Sequence, residues 1–183
     1  MKIIGITGVA RSGKDTLAKM LISEAGEAVH MSFAAPIREF ISGLLGIPLE
    51  DLLDGPTKEQ AIPELGGKSP RQLMQTLGTE WGREMIDPDL WIKVAQWRLE
   101  ALKADMFPPK VVVFSDVRFD NEADMIRSLG GRVVWVSRPG AGLNTDHISE
   151  AGIKMTLSDC RIVNDAGFVD LLHKAKALLV ANA

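Results

Sequence analysis

The chain has 183 residues, enough for one domain with a sizeable core. Hydrophobic residues make up 46% of it and charged residues 25%, the balance of a soluble globular protein. The net charge of −3 argues against non-specific nucleic-acid binding, and no apolar run is long enough to span a membrane. The single cysteine, Cys160, excludes an internal disulfide, and the opening MKIIGIT is too short for a signal peptide, so we expect a cytoplasmic protein.

The first quarter of the chain predicts two strands, each followed by a helix. Residues 2–7, KIIGIT, form an apolar run that ends in a glycine loop, which is typical of a buried parallel strand. A helix over 16–26 follows. Residues 28–33 predict the second strand, and residues 35–46 predict a helix with Pro36 in its first turn.

The middle of the chain predicts helices and a long loop. Residues 47–68 hold three prolines and three glycines without a sustained period, which indicates a loop with a helical turn. Ser69 is typical of a helix cap and Pro70 of a first helical position, and this helix is expected to run to about Ile86. A further helix begins in residues 87–104.

The last part of the chain predicts three more strands and two helices. The strands are expected at 110–118, 132–140 and 160–167, and the helices at 120–131 and 168–181. This alternation predicts an α/β fold with a five-stranded parallel sheet and helices on both faces. Ligands in such sheets bind beyond the carboxyl ends of the strands, so the residues just after the strands are the candidates for function.

The loop after the first strand, GVARSGKDT, nearly matches the phosphate-binding pattern G-x-x-x-x-G-K-[ST]. Its glycines let backbone amides approach phosphate oxygens, and Lys14 can reach the outer phosphates. The helix that follows adds a partial positive charge. We therefore expect a nucleotide site that comprises Gly8, Ala10, Arg11, Ser12, Gly13, Lys14, Asp15 and Thr16.

Asp15 departs from the pattern, which places Ser or Thr after the lysine. Either Thr16 supplies the missing hydroxyl, or magnesium is held mainly by the nucleotide phosphates and water. Asp15 as a general base is a third possibility. Asp116 ends a predicted strand, where an acid commonly supports magnesium. A helix cap or a salt bridge with Arg118 is the alternative role of Asp116.

Arginines are candidates for holding a second anion, because their planar fork matches phosphate geometry. The candidates are Arg38, Arg71, Arg83, Arg118 and Arg138.

One predicted helix carries a polar stripe at four-residue spacing, formed by Arg71, Gln75, Thr79 and Arg83. Gly78 and Gly82 lie near this stripe and would let a ligand approach the backbone, although a solvated face would give the same pattern. Each glycine costs about 1 kcal/mol of helix stability relative to alanine, so a reason for them is expected. Trp81 and Trp91 either stack on a base or pack in the core.

Five patches of the chain resemble the phage-type deoxynucleoside monophosphate kinases of the P-loop kinase group. The patches are GVARSGKDT, SPRQLMQTLGTEWGREMIDPDLWIK, SDVRFDNEADMIRSLGGRVVWVSRPG, DHISEAG and IVNDAG. The resemblance implies a P-loop kinase-like fold in a single domain over residues 1–183. It further implies a helical acceptor-binding region over 34–105 and a lid loop over 138–152 that contains His147.

The same resemblance implies transfer of the γ-phosphoryl group of ATP to a (deoxy)nucleoside monophosphate, with Mg²⁺ held through ATP, Thr16 and Asp116. Lys14, Asp116, Arg118 and Arg138 would be catalytic, with the two arginines serving the transferring phosphate or the lid. The adenine would lie near Asn164. The acceptor would be bound by Arg38, Arg71, Gln75 and Trp91. The compact segment 47–68 leaves the preferred base open.

We expect small nucleotides as partners, with no nucleic acid and no membrane, and allow for a homodimer. If the chain is encoded by a phage, it would act in the cytoplasm of the bacterial host. One alternative is a related small-molecule kinase of the phosphomevalonate or dephospho-coenzyme A type. The other is a nucleotide-dependent switch or ATPase that acts through a partner.

Overall fold

A computed structural model describes residues 1–53, 55–141 and 153–181. They form two compact units. The sheet unit comprises Met1–Ser32 and Ala95–Ala183, and the helical unit comprises Phe33–Val94. Within the described residues, no helix has the length and apolar character needed to cross a membrane.

The sheet unit is built on five parallel strands, which confirms the predicted sheet. In spatial order they are β2 (Ala28–Met31), β3 (Val111–Phe114), β1 (Lys2–Thr7), β4 (Arg132–Ser137) and β5 (Cys160–Val163). The last four strands in chain order are shorter than the predicted apolar runs. The final residues of those runs leave the hydrogen-bonded ladder and form the loops at the carboxyl edge.

Helices cover both faces of this sheet, as predicted. They are α1 (Lys14–Ala25), α6 (Asp120–Ser128) and α7 (Phe168–Val180), while α5 (Leu90–Lys103) begins in the helical unit and ends in the sheet unit. Alternate residues of a strand face opposite sides. Accordingly, Ile4 and Ile6 of β1 pack in one cluster with residues of α1 and α7, including Leu17 and Leu171. Gly5 faces α6, where a Cβ atom would lie 2.5 Å from Cδ1 of Ile126, so the absence of a side chain allows this close packing.

The strand register brings the carboxyl ends together. Thr7 is paired with Trp135, Met31 with Phe114, and Ser137 with Val163. The segments that follow β1, β3, β4 and β5 therefore leave the sheet at one edge. This edge is where ligands of open parallel sheets bind.

The helical unit contains α2 (Ala35–Leu45), α3 (Leu49–Leu53), two short 3₁₀ turns, α4 (Pro70–Thr76) and a π-helix (Leu77–Ile86). Ser69 caps α4 as predicted. Its Oγ accepts the N–H of Gln72 at 3.3 Å, and Oε1 of Gln72 accepts the N–H of Ser69 at 2.9 Å. These reciprocal bonds are a capping box.

The predicted helix from residue 70 to 86 changes at Leu77 from an α-helix to a π-helix. Trp91 contacts this π-helix, since its Nε1 donates to the carbonyl oxygen of Gly78 at 2.7 Å. A Cβ atom on Gly82 would lie 2.7 Å from the indole ring of Trp91. The expectation that Gly82 makes room for a ligand is therefore wrong, since the space beside it is filled by Trp91.

Candidate nucleotide-binding site

The predicted phosphate loop joins β1 to α1. Its backbone has positive φ angles at Gly8 (140°), Arg11 (62°) and Gly13 (101°), which turn the chain sharply. Gly8 is also required by space, because a Cβ atom there would lie 2.1 Å from the carbonyl oxygen of Val136. The loop leads into the N-terminus of α1, where the N–H groups and the helix dipole favour an anion.

Lys14 is the first residue of α1, and its side chain turns back over the loop. Nζ donates a hydrogen bond to the carbonyl oxygen of Val9 at 2.8 Å. Ser12 is fully buried, whereas Arg11 and the first-turn residues 15–16 are exposed. A cation at the start of a helix beside a tightly turned loop is an arrangement that suits a polyphosphate.

Asn164 also contacts this loop. Its Nδ2 donates to the carbonyl oxygen of Ser12 at 3.0 Å, and its backbone N–H donates to Ser137 at 2.7 Å. The residue after β5 is thus bonded both to the end of β4 and to the phosphate loop.

A cavity of about 320 Å³ opens beside the first turn of α1. It is lined by Thr16, Arg138, Pro139, Asn164, Asp165, Gly167, Phe168 and Leu171. Its volume is within the range of small-molecule sites. Of the predicted lid, the structure describes residues 138–141, while residues 142–152, with His147, lie outside the described residues.

Asp116 follows β3 and is bonded to the end of β2. Its Oδ2 accepts a hydrogen bond from Oγ of Ser32 at 2.5 Å. Next to it, Nε2 of His30 lies 2.7 Å from Oγ of Ser115. Sequence reasoning missed Ser32, although a polar residue at the end of a predicted strand is the signal that would have found it.

The backbone at Arg118 is held by a buried carboxylate. Glu122 is 2% exposed, and its Oε2 accepts the N–H groups of Arg118 at 2.8 Å and of Phe119 at 3.2 Å. Glu122 was also missed. Its signal is the capping-box spacing, an acid three residues after the residue that precedes α6.

Thr16 and Asp116 are the residues predicted to contact magnesium. Their hydroxyl and carboxylate oxygens are donors that suit this ion. Within residues 1–53, 55–141 and 153–181, no group of three or more His, Cys, Asp or Glu side chains could hold a metal.

The predicted acceptor residues belong to the helical unit. Arg38 is on α2, while Arg71 and Gln75 are on α4, and all three are half-buried. Nη1 of Arg71 donates to Oε1 of Glu59 at 2.8 Å. Trp91 is 7% exposed, and its side chain is hydrogen-bonded to Gly78. Its contact with the acceptor stays a prediction, and the burial of Trp91 does not support it.

Comparison with protein families gives a match to the deoxynucleotide monophosphate kinases over residues 60–175. A protein of Acanthamoeba polyphaga mimivirus, assigned as such a kinase, is 33% identical over 174 residues, covering 90% of this chain and 89% of the relative. The deoxynucleotide monophosphate kinase of Enterobacteria phage T4 is 28% identical, with 98% and 99% covered. The deoxynucleoside-5'-monophosphate kinase of Escherichia phage T5 is 26% identical, with 88% and 89% covered.

Among solved structures, a protein from Thermus thermophilus has a similar fold, with a TM-score of 0.55 at 20% identity. The match covers 99% of this chain and 98% of that one. The family match covers more than half of the chain, and the viral relatives cover most of it. The chain belongs to the deoxynucleotide monophosphate kinase family.

Proposed function

We propose that this chain transfers the γ-phosphoryl group of ATP to a (deoxy)nucleoside monophosphate, giving the diphosphate and ADP. The observation that carries the proposal is the loop of residues 8–16, with Lys14 at the N-terminus of α1, in a member of this kinase family. The phage T4 and T5 relatives are named for an activity of this class.

On this proposal, the donor phosphates bind to the backbone N–H groups of the loop and to Lys14. The nucleoside of ATP occupies the cavity between Thr16, Arg138 and Phe168. Mg²⁺ bound to the phosphates would neutralise their charge and would be held from the protein side by Thr16 and Asp116.

The acceptor's phosphate binds to Arg38 and Arg71 of the helical unit, with Gln75 beside them. Its attacking atom is a phosphate oxygen, which is already ionised near neutral pH. The protein therefore has to position two anions and neutralise their charge, and a strong base is not required. Arg118 and Arg138 supply positive charge to the transferring group.

The direct test is a coupled assay of ADP release with each ribo- and deoxyribonucleoside monophosphate in turn. We expect turnover with one or more deoxynucleoside monophosphates and little ADP release without an acceptor. Phosphomevalonate and dephospho-coenzyme A belong in the same panel. Turnover with one of these alone would overturn the proposal, and acceptor-independent hydrolysis alone would favour an ATPase.

Lys14→Ala tests the assignment of the donor loop. Because the charge of Lys14 serves the phosphates rather than the core, the variant should lose phosphoryl transfer while its melting temperature stays close to that of the wild type. A rate close to that of the wild type would contradict the loop assignment.

Asp15 distinguishes the proposed acceptor from a hydroxyl acceptor. With a phosphate acceptor, Asp15→Asn should lower activity only modestly, through the charge of the loop. A general base for a hydroxyl would give a loss of roughly 10²–10⁴-fold. A loss of that size in a folded variant that still binds ATP would contradict the proposal.

We also infer a cytoplasmic location, where nucleotides are available, and allow for a homodimer. Light scattering on the protein as it elutes from a size-exclusion column would test for the homodimer, since a dimer has twice the mass of the chain.

A further inference from the structure

Asn164 links the phosphate loop to two strands. Its backbone N–H is bonded to Ser137 at the end of β4, and its own position follows the end of β5. Its side chain crosses to the loop, where Nδ2 lies 3.0 Å from the carbonyl oxygen of Ser12. The two residues are 152 positions apart in the chain, so only the folded sheet brings them together.

The carbonyl that Asn164 holds belongs to the peptide group between Ser12 and Gly13. A trans peptide is planar, and its N–H points away from its C=O. A bond that fixes the carbonyl of Ser12 therefore also fixes the direction of the N–H of Gly13. This N–H belongs to the last loop residue before α1, where backbone donors serve an anion.

Residue 13 is a glycine, which has no side chain to obstruct the contact between Asn164 and Ser12. A Cβ atom there would lie 2.3 Å from Nδ2 of Asn164, and the φ angle of Gly13 is 101°. A side chain on residue 13 would therefore meet both backbone strain and the amide of Asn164.

We propose that Asn164 is a positioning residue of the phosphate loop. By holding the carbonyl of Ser12, it keeps the N–H of Gly13 directed at the donor's phosphates, whichever base the donor carries. This inference rests on the proposed function, since it takes the loop to be the donor site. It differs from the expectation that Asn164 contacts adenine, which the cavity beside it would equally allow.

Binding of inorganic tripolyphosphate separates the two roles, because this ligand has the phosphates of ATP without a base. We would measure ATP and tripolyphosphate by calorimetry for the wild type and Asn164→Ala. Loss of one neutral hydrogen bond should raise both dissociation constants by the same factor, about three- to tenfold. If ATP weakens while tripolyphosphate is unchanged, Asn164 reads the base and the proposal is wrong.

Asn164→Leu is the second variant, because it keeps the branched shape and the number of side-chain heavy atoms without a donor and guards against loss of folding in the alanine variant. Melting temperatures check both proteins. Lys174→Met is the matched control. Nζ of Lys174 donates to the carbonyl oxygen of Val163 at 2.7 Å and pairs with Asp170, so its loss removes a bond to the residue before Asn164 without removing a contact to the phosphate loop. Tripolyphosphate binding by this variant should be unchanged, and a loss equal to that of Asn164→Ala would contradict the specific role of the Ser12 bond.

Failure of the positioning role of Asn164 can be distinguished from failure of the proposed function. If wild-type protein does not bind tripolyphosphate, the donor-site assignment fails, and the proposed function fails with it. If wild-type protein binds it and both Asn164 variants bind it equally well, only the positioning role is overturned. The identity of the acceptor affects neither measurement.

Discussion

The buried carboxylate of Glu122 accepts the backbone N–H of Arg118 at 2.8 Å, where the segment after β3 enters α6. This bond fixes the backbone from which a proposed catalytic side chain extends. Glu122→Gln keeps an oxygen that can accept both N–H groups, whereas Glu122→Ala leaves them without this acceptor.

We therefore expect Glu122→Ala to lose at least about 1–3 kcal/mol of stability, the usual cost of leaving buried donors unsatisfied, and to lower kcat. Glu122→Gln should recover much of both. The measurements are urea denaturation and steady-state kinetics with saturating ATP. Asp124→Asn is the control on the same helix, since the Asp124 side chain is 70% exposed. If Glu122→Ala loses stability but keeps kcat, the carboxylate only caps α6.

The effect of Gly82→Ala on stability shows whether helix propensity or packing against Trp91 dominates at this position. Helix propensity alone would make Gly82→Ala more stable by about 1 kcal/mol. The added Cβ atom would lie 2.7 Å from the Trp91 ring, and forcing a methyl group into packed space costs about 1–3 kcal/mol. We expect a net loss of stability on thermal unfolding.

The matched control is Gly43→Ala on α2, where an added Cβ atom has no described neighbour within 4 Å. This variant should be as stable as the wild type or more stable, by up to about 1 kcal/mol. Stabilisation by Gly82→Ala of the same size would show that Trp91 moves freely from its place.

The sequence indicates the conformation at Gly8 but not the contact at Gly82. The glycine loop and the buried strand before it are local patterns, so the tight turn between β1 and α1 could be predicted from a few neighbouring residues. Likewise, the five strands followed from short apolar runs. The sheet edge then followed from the rule for parallel sheets.

The π-helix could not be predicted in this way. The four-residue spacing of Arg71, Gln75, Thr79 and Arg83 fits an ordinary helix, and no local signal indicates the change at Leu77. Trp91 contacts Gly78 and occupies the space beside Gly82 only in the folded helical unit, so the local sequence does not indicate these contacts. The bond from Asn164 to Ser12 is non-local in the same sense, since each residue alone has no signal for it.

Asp159 predicts a dependence of stability on pH. Burial raises the pKa of Asp159, but hydrogen bonds from Arg127 and from the N–H of Thr156 outweigh it and hold the pKa below its ordinary value. A carboxylate with a lowered pKa in the folded state contributes stability above its unfolded pKa, about 3.9. That contribution is lost as the pH falls through the folded value.

Asp159→Asn should therefore cost about 1.5–3 kcal/mol at pH 7, the range for hydrogen bonds to charged groups. The difference from the wild type should narrow as the pH falls below about 4. Urea denaturation between pH 7 and pH 3 measures it. Asp124→Asn removes the exposed partner of the same arginine and should cost less than about 1 kcal/mol. A difference for Asp159→Asn that stays constant over the whole range would exclude the charge as its source.

Arg71 tests the acceptor site separately from the donor site. If Arg71 grips the acceptor's phosphate, Arg71→Ala should lower kcat/KM for the acceptor at least about tenfold, because a hydrogen bond to a charged group contributes about 1.5–3 kcal/mol. Arg71→Lys should restore only part of the lost kcat/KM, since an ammonium cannot form the two parallel hydrogen bonds of a guanidinium. Kinetics with each substrate varied separately, together with ATP affinity by calorimetry, provide the measurement. Loss of ATP affinity with an unchanged acceptor KM would assign Arg71 to the donor instead.

The ion pair between Arg71 and Glu59 adds a second part to this test. Nη1 of Arg71 lies 2.8 Å from Oε1 of Glu59, whose side chain is 56% exposed. An acceptor phosphate and this carboxylate would compete for one guanidinium, so Glu59→Gln should lower the acceptor KM. An exposed pair of this kind contributes about 0.2–1 kcal/mol, which corresponds to a change of up to about fivefold. The KM should return to at least the wild-type value when Arg71→Ala is added, because the competition needs the arginine. A higher KM in Glu59→Gln alone would show that Glu59 orients Arg71 for the acceptor rather than competing with it.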